Sequence, residues 1–227
     1  MTLPLLDRAI CSYADVDRLL GLHHGTARRW LEGYVRQGRF YDPILRPEPT
    51  GSDAVTWGEM VEARLIAEYR SRRAPLQRLR PAIVALRDEL GPCPLAQARP
   101  FLEVEGHVLV RGIQDGVGLD ASLRIVVVRS GQLVLSETAE RFRSAVEYDH
   151  GIAARMRILR STPEVAMDPQ RSFGQPAVRG VRTAALAEDY QAGTPREELV
   201  DLDDLTPQQV DDALRFELIT RDGIRAA

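Results

Sequence analysis

Few side chains in this sequence stand where bond-making chemistry would need them. The four histidines are His23, His24, His107 and His150, and none is set four residues from another or beside a cysteine or carboxylate at metal-ligand spacing. Cys11 and Cys93 lie far apart with no metal or redox motif around them, and read as free thiols in a reducing compartment. GIQDGVG (112–118) has three glycines but follows no clear strand and precedes no lysine, so it reads as a loop rather than a phosphate cradle. Asp203, Asp204, Asp211 and Asp212 form an acidic surface, not a spaced acid/base pair. The expectation is a protein that is not an enzyme, with no cofactor and no metal.

Arginine is another matter. All 30 basic residues are arginines. The segment GLHHGTARRW sets His24, Thr26, Arg28 and Arg29 close together, and Arg36, Arg39 and Arg46 follow. A guanidinium pairs in two-pronged fashion with guanine or grips a phosphate, and a threonine hydroxyl can meet either. The other reading of the same residues is a solvated charged face on a structural helix pair. Residue types do not choose between the two.

Spacing does more. Ser12 can cap a first helix, with Asp15 three residues on as a short capping box. Val16, Leu19 and Leu20 make its apolar stripe, and Gly21 interrupts it. A second helix is expected near 25–34. With Gly21 as the turn of a helix-turn-helix, the sealing positions fall on Val16, Leu20, Leu22, Ala27 and Trp30, all apolar. One position departs: four residues before the glycine, where alanine is usual, stands Asp17. The buried seals would turn His24, Thr26, Arg28 and Arg29 outward as a recognition face, and Arg36, Arg39 and Arg46 would reach phosphates from a wing.

Beyond that, the proline-rich stretch 35–55 excludes helix and suits a short hairpin. Thr56 with Glu59 opens a further helix, and another is expected from Pro75 to Gly91, with Pro81 as its alternative start. GPCPLAQARP (91–100) reads as a linker and 101–110 as loosely alternating. LRIVVVRSGQLVLS (123–136) is a hairpin turning at Ser130–Gly131. Val165–Met167 and Ala177–Val181 look extended, and three helices follow near 183–192, 195–202 and 206–217, leaving 218–227 as a tail.

The sequence therefore predicts an α+β chain, mainly α: 1–91 as a winged helix-turn-helix, 92–163 as a linker and β-rich region, 164–217 as a small helical bundle, then the tail. Charge divides along the same line. Residues 1–100 carry 15 arginines against 12 acids, whereas 183–217 carry two arginines against ten acids. Phosphates would repel such a rear bundle, so it reads as a protein-binding or dimerising module, with Arg171, Arg179 and Arg182 before it as ion-pair partners or as partner contacts. No apolar run reaches the length of a bilayer span and the N-terminus has no secretion-signal order, so a cytoplasmic protein is expected.

The segment SYADVDRLLGLHHGTARRWLEGY with the later helix WGEMVEARLIAEYR resembles the MerR-like winged helix-turn-helix. More closely, it resembles the N-terminal domain of VapB-type antitoxins. DPQRSFGQPAVRGVRT, ahead of three helices ending in LTPQQVDDALRFE, is similar to their C-terminal domain through Gly174, Pro176, Arg179, Gly180 and Arg182. The two matches cover about 130 residues, and 92–163 are assigned by position only. The resemblance implies a homeodomain-like three-helix bundle at the rear. It also implies two partners: operator DNA, bound as a homodimer, and a PIN-domain ribonuclease toxin. An arginine entering such a toxin's carboxylate site could displace its metal. Arg221 and Arg225, anchored by Ile219 and Ile224, are the candidates, against a frayed terminus. The rival readings are a stand-alone transcription regulator and a plain interaction scaffold.

Overall fold

The computed structural model describes residues 4–71 and 76–225. It is mainly helical, with five small two-stranded antiparallel sheets among the described residues. The front stretch runs β1 (Ala9–Ser12), α1 (Tyr13–Leu19), α2 (Thr26–Glu32), β2 (Tyr34–Arg36), β3 (Arg39–Tyr41), β4 (Ala54–Thr56) and α3 (Trp57–Ser71). Both expected capping boxes form. The Ser12 hydroxyl accepts from the Asp15 N–H while Asp15 reaches back to the Ser12 N–H. Thr56 and Glu59 do the same at the entry to α3.

The middle stretch holds α4 (Arg80–Leu90), α5 (Arg99–Leu102), α6 (Val104–Gly116), β5 (Val126–Arg129), β6 (Gln132–Leu135), α7 (Glu137–Arg143), β7 (Val146–Asp149) and β8 (Ile152–Met156). The β5–β6 hairpin turns at Ser130–Gly131, both with positive φ, as the Ser-Gly pair predicted. Two expectations fail here. Residues 101–110, expected as loose alternation, are α5 and the start of α6: Gly106, Val110 and Gln114 are buried at a four-residue interval, a helical period. Gly106 lets α6 cross the turn before it, where a Cβ would lie 1.9 Å from the Arg99 carbonyl oxygen. The supposed linker is interior. Pro94, Leu95 and Ala96 are buried in a single 3-10 turn, with the Leu95 N–H donating to Glu62 at 3.0 Å. The expected helix start at Pro75 lies outside the described residues, and α4 opens with Pro81 in its first turn.

The rear stretch holds β9 (Ala177–Val178), β10 (Val181–Arg182), α8 (Thr183–Gln191), α9 (Arg196–Leu202) and α10 (Pro207–Arg225). Ala166 bridges Ala177, in line with two extended segments. Residues 218–225 are not a tail, because α10 continues through them; Phe216 and Thr220 stay buried and keep it packed.

Buried residues from all three stretches form one hydrophobic cluster. Trp57, fully buried on α3, donates from Nε1 to the Ala153 carbonyl at 2.6 Å. The Gly174 motif is a docking device: Gly174 has φ +75°, and a Cβ there would lie 2.7 Å from Ile10 Cγ2 on β1. Gln175 Nε2 donates to the Ile10 carbonyl at 3.0 Å, and Arg8 donates to that of Pro169 at 2.6 Å.

Candidate nucleic-acid interface

Asp17, the residue that breaks the usual pattern, holds the helix pair together. Its side chain is buried on α1 and accepts from the Gly25 N–H at 2.6 Å and the Ala27 N–H at 2.7 Å. Those two N–H groups open α2 and have no partner inside that helix. One carboxylate thus caps α2 from the neighbouring helix and fixes how the two meet. Gly21 and Gly25 both adopt positive φ to make the turn between them. Of the predicted seals, Val16, Ala27 and Trp30 are buried, and Leu20 and Leu22 pack half-buried against the core.

The hairpin of β2 and β3 follows α2 directly and turns at Gln37–Gly38. Tyr34 and Tyr41 stack across it with ring centroids 5.0 Å apart, and the Arg39 guanidinium sits 5.5 Å from the Tyr41 centroid. The Trp30 carbonyl accepts from Ile44 and Leu45 at 2.8 and 3.0 Å, which returns the chain to α2.

Five of the seven predicted DNA-facing residues are exposed: His24, Arg28, Arg29, Arg36 and Arg39. None of the four arginines makes an ion pair among the described residues. Arg29 is steadied by its own helix, Nε donating to the Gly25 carbonyl at 3.1 Å. Arg70, at the end of α3, lines the same groove as Arg29 and Arg36; nothing in its sequence neighbourhood marked it.

Thr26 and Arg46 are corrections. Thr26 is 1% exposed, because its place in the first turn of α2 faces inward beside Ala27. Arg46 is 5% exposed and belongs to an internal clasp. Its Nε donates to Glu59 at 2.7 Å, its other nitrogens to Glu32, to Tyr13 Oη at 2.8 Å and to the Ala54 carbonyl at 2.8 Å. Burial pushes the Glu32 carboxyl up. Hydrogen bonds from the Gly51 N–H, the Tyr13 hydroxyl, and the N–H and hydroxyl of Thr50 outweigh it and take the carboxyl down to about 2. The clasp ties α2, the 47–54 loop and α3 into one body. Sequence spacing gives no signal of it, because Glu59 reads there only as the capping partner of Thr56.

On the rear side, Arg221 is exposed and Ile219 is 42% exposed at the edge of a groove lined by Leu19, Leu20 and Ile158. Ile224 and Arg225 continue α10, and their side chains lie outside the described residues. Arg171 and Arg179 pair locally with Asp168 at 3.7 Å and Asp204 at 3.6 Å, and Arg182 is exposed. No group of three potential metal ligands gathers among the described residues, and no described helix is long and apolar enough to cross a membrane.

No protein-family model matches the chain. It is 37% identical to "Uncharacterized protein Rv2308" of Mycobacterium tuberculosis, over 93% of this chain and 91% of that protein. It is 30% identical to "Putative antitoxin VapB45" of the same organism, over 92% of this chain and 93% of that protein. The chain belongs to the VapB45 family. Among solved structures, the family fold matches the crystal structure of Rv2018 from Mycobacterium tuberculosis. The TM-score is 0.72 at 26% identity, covering 93% of this chain and all of that one. With coverage that complete, the middle stretch 92–163 is shared along with the two ends.

Proposed function

We propose that this chain is an antitoxin that represses its own operon. In this reading α1, α2 and the β2–β3 hairpin form a MerR-like winged helix-turn-helix that binds operator DNA as a dimer on an inverted repeat. The rear helices bind a PIN-domain ribonuclease and hold it inactive. Membership of the VapB45 family supports the antitoxin part.

One observation carries the DNA part: four exposed arginines on α2 and the hairpin lack ion-pair partners among the described residues, above a clasp that consumes the acids beneath them. A helix-turn-helix reads DNA with the N-terminal half of its second helix, where Arg28 and Arg29 stand. The Arg28 side chain makes no hydrogen bond to its own chain among the described residues, and we assign it to a base edge. Arg36 and Arg39 at the hairpin tip are assigned to phosphates.

Mobility shifts on the upstream region of the gene, at fixed salt, test this. Arg28→Ala with Arg29→Ala should weaken binding by a factor of ten or more. Arg36→Ala and Arg39→Ala should each flatten the salt dependence by about one unit of slope. Operator binding unchanged in the first pair would remove α2 from the interface. For the toxin side, coexpression of the cognate toxin with a chain ending at Glu217 should fail to rescue growth. Full rescue would remove Ile219, Arg221, Ile224 and Arg225 from the mechanism.

A further inference from the structure

We propose that two copies of this chain associate about a twofold axis through the rear of the molecule, the arginine groove beside Phe173 in one copy receiving the acidic face of α9 of the other. This deepens the dimer in the reading above, and rests on that reading only for its consequence on DNA.

The groove holds about 320 Å³, is floored by Ala166 and Ala177, and is rimmed by Arg155, Arg171 and Arg179. Glu164 and Asp168 also line it. Each guanidinium is paired only loosely with an acid of its own chain: Arg155 with Glu147 at 3.8 Å, Arg171 with Asp168 at 3.7 Å, Arg179 with Asp204 at 3.6 Å. The Arg171 and Arg179 side chains remain 73% and 57% exposed. They have capacity for stronger acceptors.

Beside the groove stands an aromatic ring with no reason to be there in a lone chain. Phe173 is 84% exposed. It has φ +56°, directly after Ser172 at +48°, a conformation that L-residues with side chains rarely adopt. Both flanks impose it. Ser172 Oγ donates to the Gly180 carbonyl at 2.6 Å, and Gly174 and Gln175 are fixed against Ile10. Backbone strain that displays an apolar ring to water, with no burial in return, points to a partner that buries it.

The complementary surface lies next door. Glu197 and Asp201, four residues apart on α9, are both exposed and make no ion pair among the described residues; Arg196 is taken by Asp211 at 2.5 and 2.6 Å. Leu202 is 69% exposed beside them. Asp204, just past the helix, is the acid that meets Arg179, so groove and acidic face share a border. A patch carrying both signs side by side is self-complementary under a twofold rotation, which lays each groove on the other copy's acids. Phe173 and Leu202 would supply the apolar contact, and the charges the register.

Size-exclusion chromatography with light scattering of the full chain at micromolar concentration tests this. The parent should run as a dimer. R171E/R179E and E197R/D201R should each run as monomers, with unchanged circular dichroism melting, and an equimolar mixture should recover the dimer because both contacts again pair opposite charges. F173A should weaken association at least tenfold, and R141E/R143E, on α7, should leave it intact. A monomeric parent, dimeric charge-reversal variants or a mixture that stays monomeric would overturn the proposal. Mobility shifts on a half-site keep the two readings apart. Monomeric variants that still bind a half-site leave the DNA reading standing; a dimeric parent that binds no operator removes that reading and not this interface.

Discussion

Glu32 and Glu62 are carboxylates drawn out of water near the same helix, α3, and their surroundings drive them to opposite ends of the protonation scale. Glu32 enters the clasp beside Arg46, where burial pushes it up but two backbone N–H groups and two hydroxyls donate to it and hold it down to about 2. Glu62 enters the pocket under the 94–96 turn and meets one N–H, that of Leu95, while its Oε2 has no hydrogen-bond partner. Burial pushes it up to about 7, against the pull of the Leu95 N–H and Arg87. Burial alone therefore does not set a carboxylate's charge; the donors that come with it do. The clasp is a permanent ion pair at any physiological pH, and the pocket titrates in that range.

The contrast also explains the outer surface. Glu32 and Glu59 are spent inward on Arg46, while Arg28, Arg29, Arg36 and Arg39 outside make no ion pair among the described residues. In the rear stretch Arg196 is taken up by Asp211, and exposed acids such as Glu197 and Asp201 are left over on α9. Two surfaces of opposite sign arise from a chain whose net charge is only −3.

The hardest test of the comparison is Arg46→Ala. It leaves Glu32 and Glu59 in the clasp without their cation, and should cost about 3–5 kcal/mol in urea unfolding. A loss of no more than about 1 kcal/mol would mean that the clasp behaves like a surface pair. Next is Glu62→Gln, which keeps an acceptor for Leu95 and removes the charge. Glu62 has a folded-state value raised from 4.5 to about 7, so the native state holds the extra proton. Its contribution is full below about 4.5, is lost as pH rises through 7, and stays flat above. The variant should lose that slope and at pH 8 exceed the parent by a few kcal/mol, each tenfold change in proton affinity being worth about 1.4 kcal/mol. Equal stability of variant and parent from pH 5 to pH 8 would put Glu62 in water.

Asp17→Ala should follow at about 1–2 kcal/mol, since it strips two hydrogen bonds from the start of α2, and should weaken operator binding by loosening the crossing. Smallest in stability is the pair Arg28→Ala and Arg29→Ala, expected within about 0.5 kcal/mol of the parent because both side chains are exposed and make no ion pair among the described residues. A large loss of stability there would show that these arginines serve the fold.

Much of the local structure was legible because it depends on short-range rules. The capping residues Ser12 and Thr56, the Ser130–Gly131 turn and the periodicity of α3 each rest on neighbours a few residues away. The 91–100 stretch reads as a linker because prolines and glycine mark linkers by composition, while here the fold buries Pro94, Leu95 and Ala96 against α3. Thr26 was misplaced because its side-chain direction depends on where a seven-residue helix starts, which Asp17 decides from another helix. Nothing local marks Arg70, because only packing brings the end of α3 to the groove beside α2.

By itself the sequence determined a mainly helical α+β chain, a capped helix pair turning on Gly21, and an arginine-rich front with an acid-rich rear, since each follows from residue type and spacing. Tertiary structure alone decided which arginines face outward and which are consumed, that α10 runs on to Arg225, and that the Gly174 motif docks on β1. For α10 the reason is the burial of Phe216 and Thr220, and for the arginines and the Gly174 motif it is a shared one. A charged or strained group settles only when its long-range partner arrives, and Arg46 waits for Glu59, thirteen residues on, just as Gly174 waits for Ile10.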